Sequence, residues 1–241
     1  MCTVTYLPTR NGFTLTHNRD EAPSRSLYAI ESQRTTGGDV LFFPRDATAG
    51  GTWIVTAESG KTACLLNGAF SLHKRTPPYR RSRGLMMLDF FEFENPDDFF
   101  QHYDLEGIEP FTFLFFQPDQ VVTFRWDGIE KFRKNLAPNE AHFWCSATLY
   151  PDDMQVKREQ VFRQWLASWK LKRSPDPRAL IKLHKTGSVG DPEYDYVMER
   201  GGRVQTVSIT QVVLRKKNTR MRYFDLLEGN RDERLVLRKD R

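Results

Sequence analysis

The chain begins Met1-Cys2, and Asn18-Arg19-Asp20-Glu21 closes the next strand-like run. Trimming of Met1 turns Cys2 into a residue carrying both a thiol and a free α-amine. That amine titrates near ~7.7–8.0, so at neutral pH a sizeable fraction of it is an unprotonated base. A thiol beside its own general base is the minimal activated nucleophile. A guanidinium such as that of Arg19 favours the thiolate, and a carboxylate such as Asp20 or Glu21 can hold the amine.

A local hairpin brings these groups together. Cys2–Leu7 and Gly12–His17 are rich in β-branched residues, and Pro8-Thr9-Arg10-Asn11-Gly12 between them has turn chemistry. A two-residue turn at Asn11-Gly12 sets Cys2 opposite Glu21. A four-residue turn from Thr9 to Gly12 sets it opposite Arg19. Side chains alternate faces along a strand, so either Arg19 with Glu21 or Asn18 with Asp20 shares the face of Cys2. A slip of one residue exchanges the two pairs.

These residues resemble the NRDE family, which includes the transport and Golgi organisation protein 2 proteins. The resemblance continues at Gly50-Gly51-Thr52-Trp53 and Leu65-Leu66-Asn67, and is looser after the first seventy residues. It implies kinship with N-terminal nucleophile hydrolases of the choloylglycine hydrolase and penicillin V acylase type. The implied fold is α+β, a four-layer αββα sandwich of mostly antiparallel sheets. By that resemblance the catalytic residues are Cys2, as nucleophile and base, Arg19 and Asp20, which orient it, and Asn67, which binds the oxyanion. Asn18 and Glu21 join the substrate-binding set. Two departures stand out. Arg19 and Asp20 are adjacent, where the hydrolases separate them by two residues. In Cys145-Ser146-Ala147-Thr148-Leu149, Ser146 occupies the place of an asparagine. Near the C-terminus, Gly202-Arg203-Val204-Gln205-Thr206-Val207 is faintly similar to a family segment and adds Arg203.

The remaining elements read as a single domain over residues 1–241. Trp53–Thr56 and Lys61–Leu66 flank a Glu58-Ser59-Gly60 turn, and Phe111–Phe116, Gln120–Trp126 and Ile129–Arg133 form a meander. Val204–Leu214 and Arg220–Leu226 are two further strands. Helical patterns cover Gly84–Phe93, Pro96–Tyr103, Met154–Leu171 and Pro177–Lys185, the last with Asp176 as N-cap. Strand, helix, strand alternation of this kind suits two sheets covered by helices. Residues 230–241 are highly charged and read as a frayed tail. The runs of phenylalanine at 90–93 and 111–116 read as plain core.

No run of ~20 apolar residues is present, so no membrane span is expected. There is no charged segment followed by an apolar run near the start, so no secretory signal is expected either. Cys2, Cys64 and Cys145 are widely spaced, which points to reduced thiols and a cytoplasmic setting. The histidines have no metal-type spacing, and no glycine-rich phosphate loop precedes a helix, so no cofactor is expected.

The formal net charge is +5. Most basic residues alternate with acids, except in 73–83, where Lys74, Arg75, Arg80, Arg81 and Arg83 occur with no acid and Pro77-Pro78 prevents a helix. Without a nucleic-acid fold motif, RNA binding ranks below an anion-attracting loop beside an acyl-transfer site, with Arg80 and Arg81 as substrate-binding residues. Two function classes follow. One is an amidohydrolase or acyltransferase acting on a small acyl substrate. The other, implied by the family's links to haem trafficking and acyl-CoA homeostasis, binds a hydrophobic anionic ligand such as haem or acyl-CoA without turnover.

Overall fold

The computed structural model describes residues 2–25, 29–169 and 176–237. β1 (Cys2–Thr9) and β2 (Gly12–Glu21) form the N-terminal hairpin. Then come β3 (Ile30–Arg34), β4 (Val40–Pro44), β5 (Ile54–Ala57) and β6 (Thr62–Asn67), the helices α1 (Arg83–Phe90) and α2 (Pro96–His102), and β7 (Phe111–Gln117), β8 (Gln120–Trp126) and β9 (Lys131–Leu136). β10 (His142–Cys145) precedes α3 (Asp152–Trp169) and α4 (Pro177–Thr186). The short β11 (Glu199–Arg200), β12 (Val204–Leu214), β13 (Asn218–Asp225) and β14 (Arg231–Leu237) end the described chain.

The strands form two antiparallel sheets. One runs β10-β1-β2-β12-β13-β14, with β11 paired to β12, and so joins both ends of the chain. The other is an uninterrupted meander from β3 to β9. Their facing sides share a core of Val4, Tyr6, Phe13, Leu15, Ile54, Cys64, Leu66, Leu114 and Phe116. α1 and α2 cover the far side of the meander, where Met86, Phe90, Phe99 and Phe100 meet Phe111, Phe113 and Phe115. α3 and α4 cover the far side of the first sheet through Phe162, Leu180 and Leu183. The layers are therefore helix, sheet, sheet, helix. β7 is buried on both faces, which is why its sequence is apolar from Phe111 to Phe116 except at Thr112. Burial of each such side chain contributes ~1.5–3 kcal/mol. Among the described residues no helix is long and apolar enough to cross a membrane.

Within the first hairpin Thr9 faces Gly12, so Arg10 and Asn11 are the loop, and Cys2 faces Arg19. The register that set Cys2 opposite Glu21 is not formed. Gly12, at φ +146°, packs so closely that a Cβ there would lie 2.2 Å from the carbonyl oxygen of Leu214. That contact with β12 leaves room only for glycine and fixes where the loop ends.

The frayed tail expected over 230–241 is corrected for its larger part. Arg231–Leu237 pairs with β13 in register from Arg231 opposite Phe224 to Leu237 opposite Asn218. Its charges belong to an edge strand: Glu233 accepts from Arg222 at 2.6 Å across the ladder, and Val236 is buried. Residues 238–241 lie outside the described residues, as do the last two positions of the helix expected to reach Leu171. β3 and β4 were not anticipated, because β3 is exposed beyond Ile30 and β4 is short, whereas the strand expected around Cys145 is β10.

Candidate active site

The start of β1, the end of β2, the end of β6, the loop before β5 and the N-terminus of α1 converge on a cavity of about 520 Å³. Cys2, Arg19, Glu21, Asn67, Trp53 and Asp46 are among its lining residues. Cys2 is only 2% exposed. Burial, assisted by the charge of Asp20, pushes its thiol above the ordinary value, and Arg19 opposes that shift. The thiol is therefore neutral at neutral pH and needs a base to become a nucleophile.

Arg19 is the cross-strand partner of Cys2. Its Nη2 donates to Asp46 Oδ2 at 2.5 Å, and its guanidinium lies 4.1 Å from the centre of the Trp53 ring. Asp46 is itself fixed, because its Oδ1 accepts from the amides of Thr48 and Ala49 at 3.0 and 2.9 Å. The loop is closed by Asp46 N donating to Gly51 O and Gly50 N donating to Asp46 O, each at 2.7 Å. A Cβ on Gly51 would lie 2.3 Å from the carbonyl carbon of Gly84, so glycine is what lets this loop rest on the start of α1. The sequence reading did not identify Asp46. The available signal was its place just before the Gly50-Gly51-Thr52-Trp53 motif.

Alternation places Asn18 and Asp20 on the opposite, helix-covered face of the sheet. Neither lines the cavity. Asn18 Nδ2 donates to the carbonyls of His184 and Tyr196 at 3.0 and 2.6 Å, and its Oδ1 accepts from His184 Nδ1 at 2.6 Å. The other ring nitrogen of His184 then accepts from Thr5 Oγ1 at 2.7 Å. Asp20 accepts from Tyr150 and from Thr206 Oγ1, both at 2.7 Å. Burial raises its carboxyl above the ordinary range, while Arg158, Tyr150 and Thr206 act against that. The role expected for Asn18 and Asp20 beside the thiol is thus corrected. They tie β2 to α4, to β12 and to the two loops carrying Tyr150 and Tyr196, and Arg19 with Glu21 takes the cavity side.

Ser146 joins the two sheets. Its amide donates to the carbonyl of Cys2 at 2.9 Å, and its hydroxyl donates to the carbonyl of Asn67 at 2.8 Å. The single hydroxyl proton is thereby committed, so the 3.1 Å contact with Thr148 Oγ1 is donated by Thr148. Ser146 is fully buried and does not line the cavity. It holds Cys2 and Asn67 in place and offers no donor to a substrate. The side-chain amide of Asn67 makes no hydrogen bond among the described residues.

The basic segment is compensated by acids from elsewhere in the chain. Arg81 makes two bonds to Asp89, at 2.5 and 2.6 Å, and Arg83 meets Glu109 at 3.0 Å. His73 and Arg75 also reach Glu109, at 3.1 and 3.3 Å. Arg80 pairs with Asp104 outside the cavity. Arg203 sits in the exposed β11–β12 turn and does not line the cavity either. Of Arg80, Arg81 and Arg203, Arg81 alone lines the cavity, with its charge met by Asp89, while Arg75 and Arg83 of the same basic segment line it too. Among the described residues no group of side chains could hold a metal ion.

A family model described as Transport and Golgi organisation 2 matches residues 1–234. No curated protein matches the chain. Several solved structures are similar. Penicillin V acylase from Agrobacterium tumefaciens aligns over 97% of this chain and 85% of its own, with a TM-score of 0.59 at 10% identity. The Caenorhabditis elegans orthologue of N-acylethanolamine-hydrolyzing acid amidase aligns over 88% and 92%, with 0.58 at 12%. A mutant of the conjugated bile acid hydrolase from Clostridium perfringens aligns over 98% and 96%, with 0.60 at 9%. At such identities the likeness is one of fold, and the fold is that of the N-terminal nucleophile hydrolases.

Proposed function

We propose, on the premise that this chain belongs to the Transport and Golgi organisation 2 family, that it is a cysteine-type N-terminal nucleophile amidohydrolase or acyltransferase. The substrate class is an amide- or thioester-linked acyl group. The observation that carries the reading is the cross-strand pairing of Cys2 with Arg19 at a cavity that Asn67 also lines.

Once Met1 is removed, the α-amine of Cys2 accepts the thiol proton as sulfur attacks the acyl carbonyl carbon. Positive charge on Arg19 offsets the burial that disfavours the thiolate. The carbonyl oxygen becomes an oxyanion, to which the Asn67 amide donates, an interaction worth ~2.7–4 kcal/mol in comparable sites. Collapse breaks the bond to nitrogen or sulfur, and the ammonium returns its proton to the leaving group. Water, or an acceptor amine or thiol, then attacks the acyl-cysteine and regenerates Cys2.

A second reading, binding of a hydrophobic anionic ligand such as haem or acyl-CoA without turnover, draws on Ser146. Its hydroxyl is committed to the Asn67 carbonyl, so this side chain supplies no donor to an oxyanion. Arg75, 72% exposed at the cavity, is the cation best able to turn toward an incoming anion.

Release of amine or thiol from a panel of N-acyl amides and acyl thioesters, compared between the native protein and Cys2→Ala, distinguishes the two. Turnover abolished by Cys2→Ala supports the enzyme. Ligand binding retained in Cys2→Ala, with no turnover by either protein, supports the carrier.

A further inference from the structure

A second group of cations lies on a different part of the molecule. α4 packs on β2 and β12, and beside it the outer face of β13 and β14 is left open. Between α4 and this hairpin lies a second cavity of about 520 Å³. Arg178, Ile181 and Lys185 of α4 line one wall, and Phe224 of β13 and Arg231 of β14 line the other.

Its two carboxylates are already engaged. Glu233 accepts from Arg222 at 2.6 Å, and Asp232 accepts from Arg234 at 2.5 Å and from the amide of Ile30 at 2.8 Å. Arg178, Lys185 and Arg231 have no carboxylate partner among the described residues. Two of them are gathered on one ring: Lys185 Nζ lies 5.3 Å from the centre of Phe224, and the Arg231 guanidinium carbon 5.8 Å. The ring holds these cations near one another without neutralising them. In the first cavity, by contrast, Arg19, Arg81 and Arg83 each face a carboxylate.

We propose that this second groove binds a small phosphorylated molecule with a flat heteroaromatic part, of the nucleotide class. Arg178, Lys185 and Arg231 supply the phosphate contacts, with the two guanidinium groups offering the fork that matches phosphate oxygens. Phe224 and Ile181 supply the apolar surface for the base. The volume falls within the ~300–1,000 Å³ of small-molecule sites. This site is independent of the acyl-transfer reading and shares no lining residue with the first cavity.

The test is calorimetric titration of the full chain with ADP, adenosine, pyrophosphate and a short single-stranded RNA. ADP is expected to bind at one site, at least about tenfold more tightly than either adenosine or pyrophosphate. Lys185→Ala with Arg231→Ala is expected to weaken ADP by about tenfold or more. Phe224→Leu should weaken ADP by a larger factor than pyrophosphate, a split that a folding defect would not produce. Absence of ADP binding at millimolar concentration would overturn the proposal. So would affinity indifferent to the double variant, affinity lost in Arg75→Ala (which would place ADP in the first cavity), or RNA binding tighter than ADP through the same residues.

Discussion

The hydroxyl of Ser146 donates to the backbone carbonyl of Asn67 at 2.8 Å, and the same residue's amide holds the carbonyl of Cys2. One buried serine thus links the strand bearing the candidate nucleophile to the strand bearing the candidate oxyanion donor. Ser146→Ala removes the link to Asn67 and leaves a buried carbonyl without its donor, a loss of ~1–3 kcal/mol in stability. Turnover should fall with the Michaelis constant little changed, and Ser146→Thr should restore most of it. Steady-state kinetics of the three proteins check this.

The part of the site carried by the first hairpin was legible in the sequence, because Cys2 and Asn18–Glu21 lie on adjacent strands. Which pair faced the thiol was not legible, because a one-residue slip exchanges the pairs, and the register is held by the contact of Gly12 with Leu214 in a distant strand. The aromatic runs identified the core correctly, since a strand buried on both faces is apolar at nearly every position. The charge of residues 73–83 misled in the other direction. Its partners Asp89, Asp104 and Glu109 lie beyond the segment, so compensation could not be read locally. Asp46 was missed because a carboxylate in a loop carries no pattern until its cation is known.

Arg19→Gln keeps a polar side chain and removes the charge beside the thiol. Alkylation of Cys2 by iodoacetamide at neutral pH should slow, because loss of the neighbouring positive charge disfavours the thiolate. Asp46→Asn should not slow it, since it keeps the Arg19 charge and removes the carboxylate that compensates it. In the native protein turnover should rise with pH through ~7.7–8.0, the range of an α-amine acting as base. Alkylation rates unaffected by Arg19→Gln would remove the role given to that pairing.

Asn67→Ala deletes the amide that would meet the oxyanion. Turnover number should drop by about 10²–10³-fold with substrate affinity nearly unchanged, the pattern of an interaction made only in the transition state. A rise in the Michaelis constant alone would mean that Asn67 contacts the ground state.

His17 is fully buried two cross-strand pairs inward from Cys2, and burial pushes its imidazole down to about 3. The unfolded chain binds a proton at this residue below ~6.5, whereas the folded chain does so only near the lower value. Folding therefore disfavours the protonated form. The contribution is intact above ~6.5 and is lost as pH falls from there toward about 3. Urea midpoints measured at pH 7 and pH 4 should separate strongly for the native protein and less for His17→Gln. Equal separation would show that His17 takes up its proton without unfolding.

The central claim is that Cys2, freed of Met1, forms an acyl-enzyme. Intact mass of protein purified without an N-terminal tag, recorded before and shortly after mixing with acyl amides and acyl thioesters, tests it directly. Loss of Met1 and a transient mass increase equal to the acyl group, absent in Cys2→Ala, are the expected result. Retained Met1, or a trimmed Cys2 that never acquires the acyl mass, would contradict it and leave the cavity as a binding site.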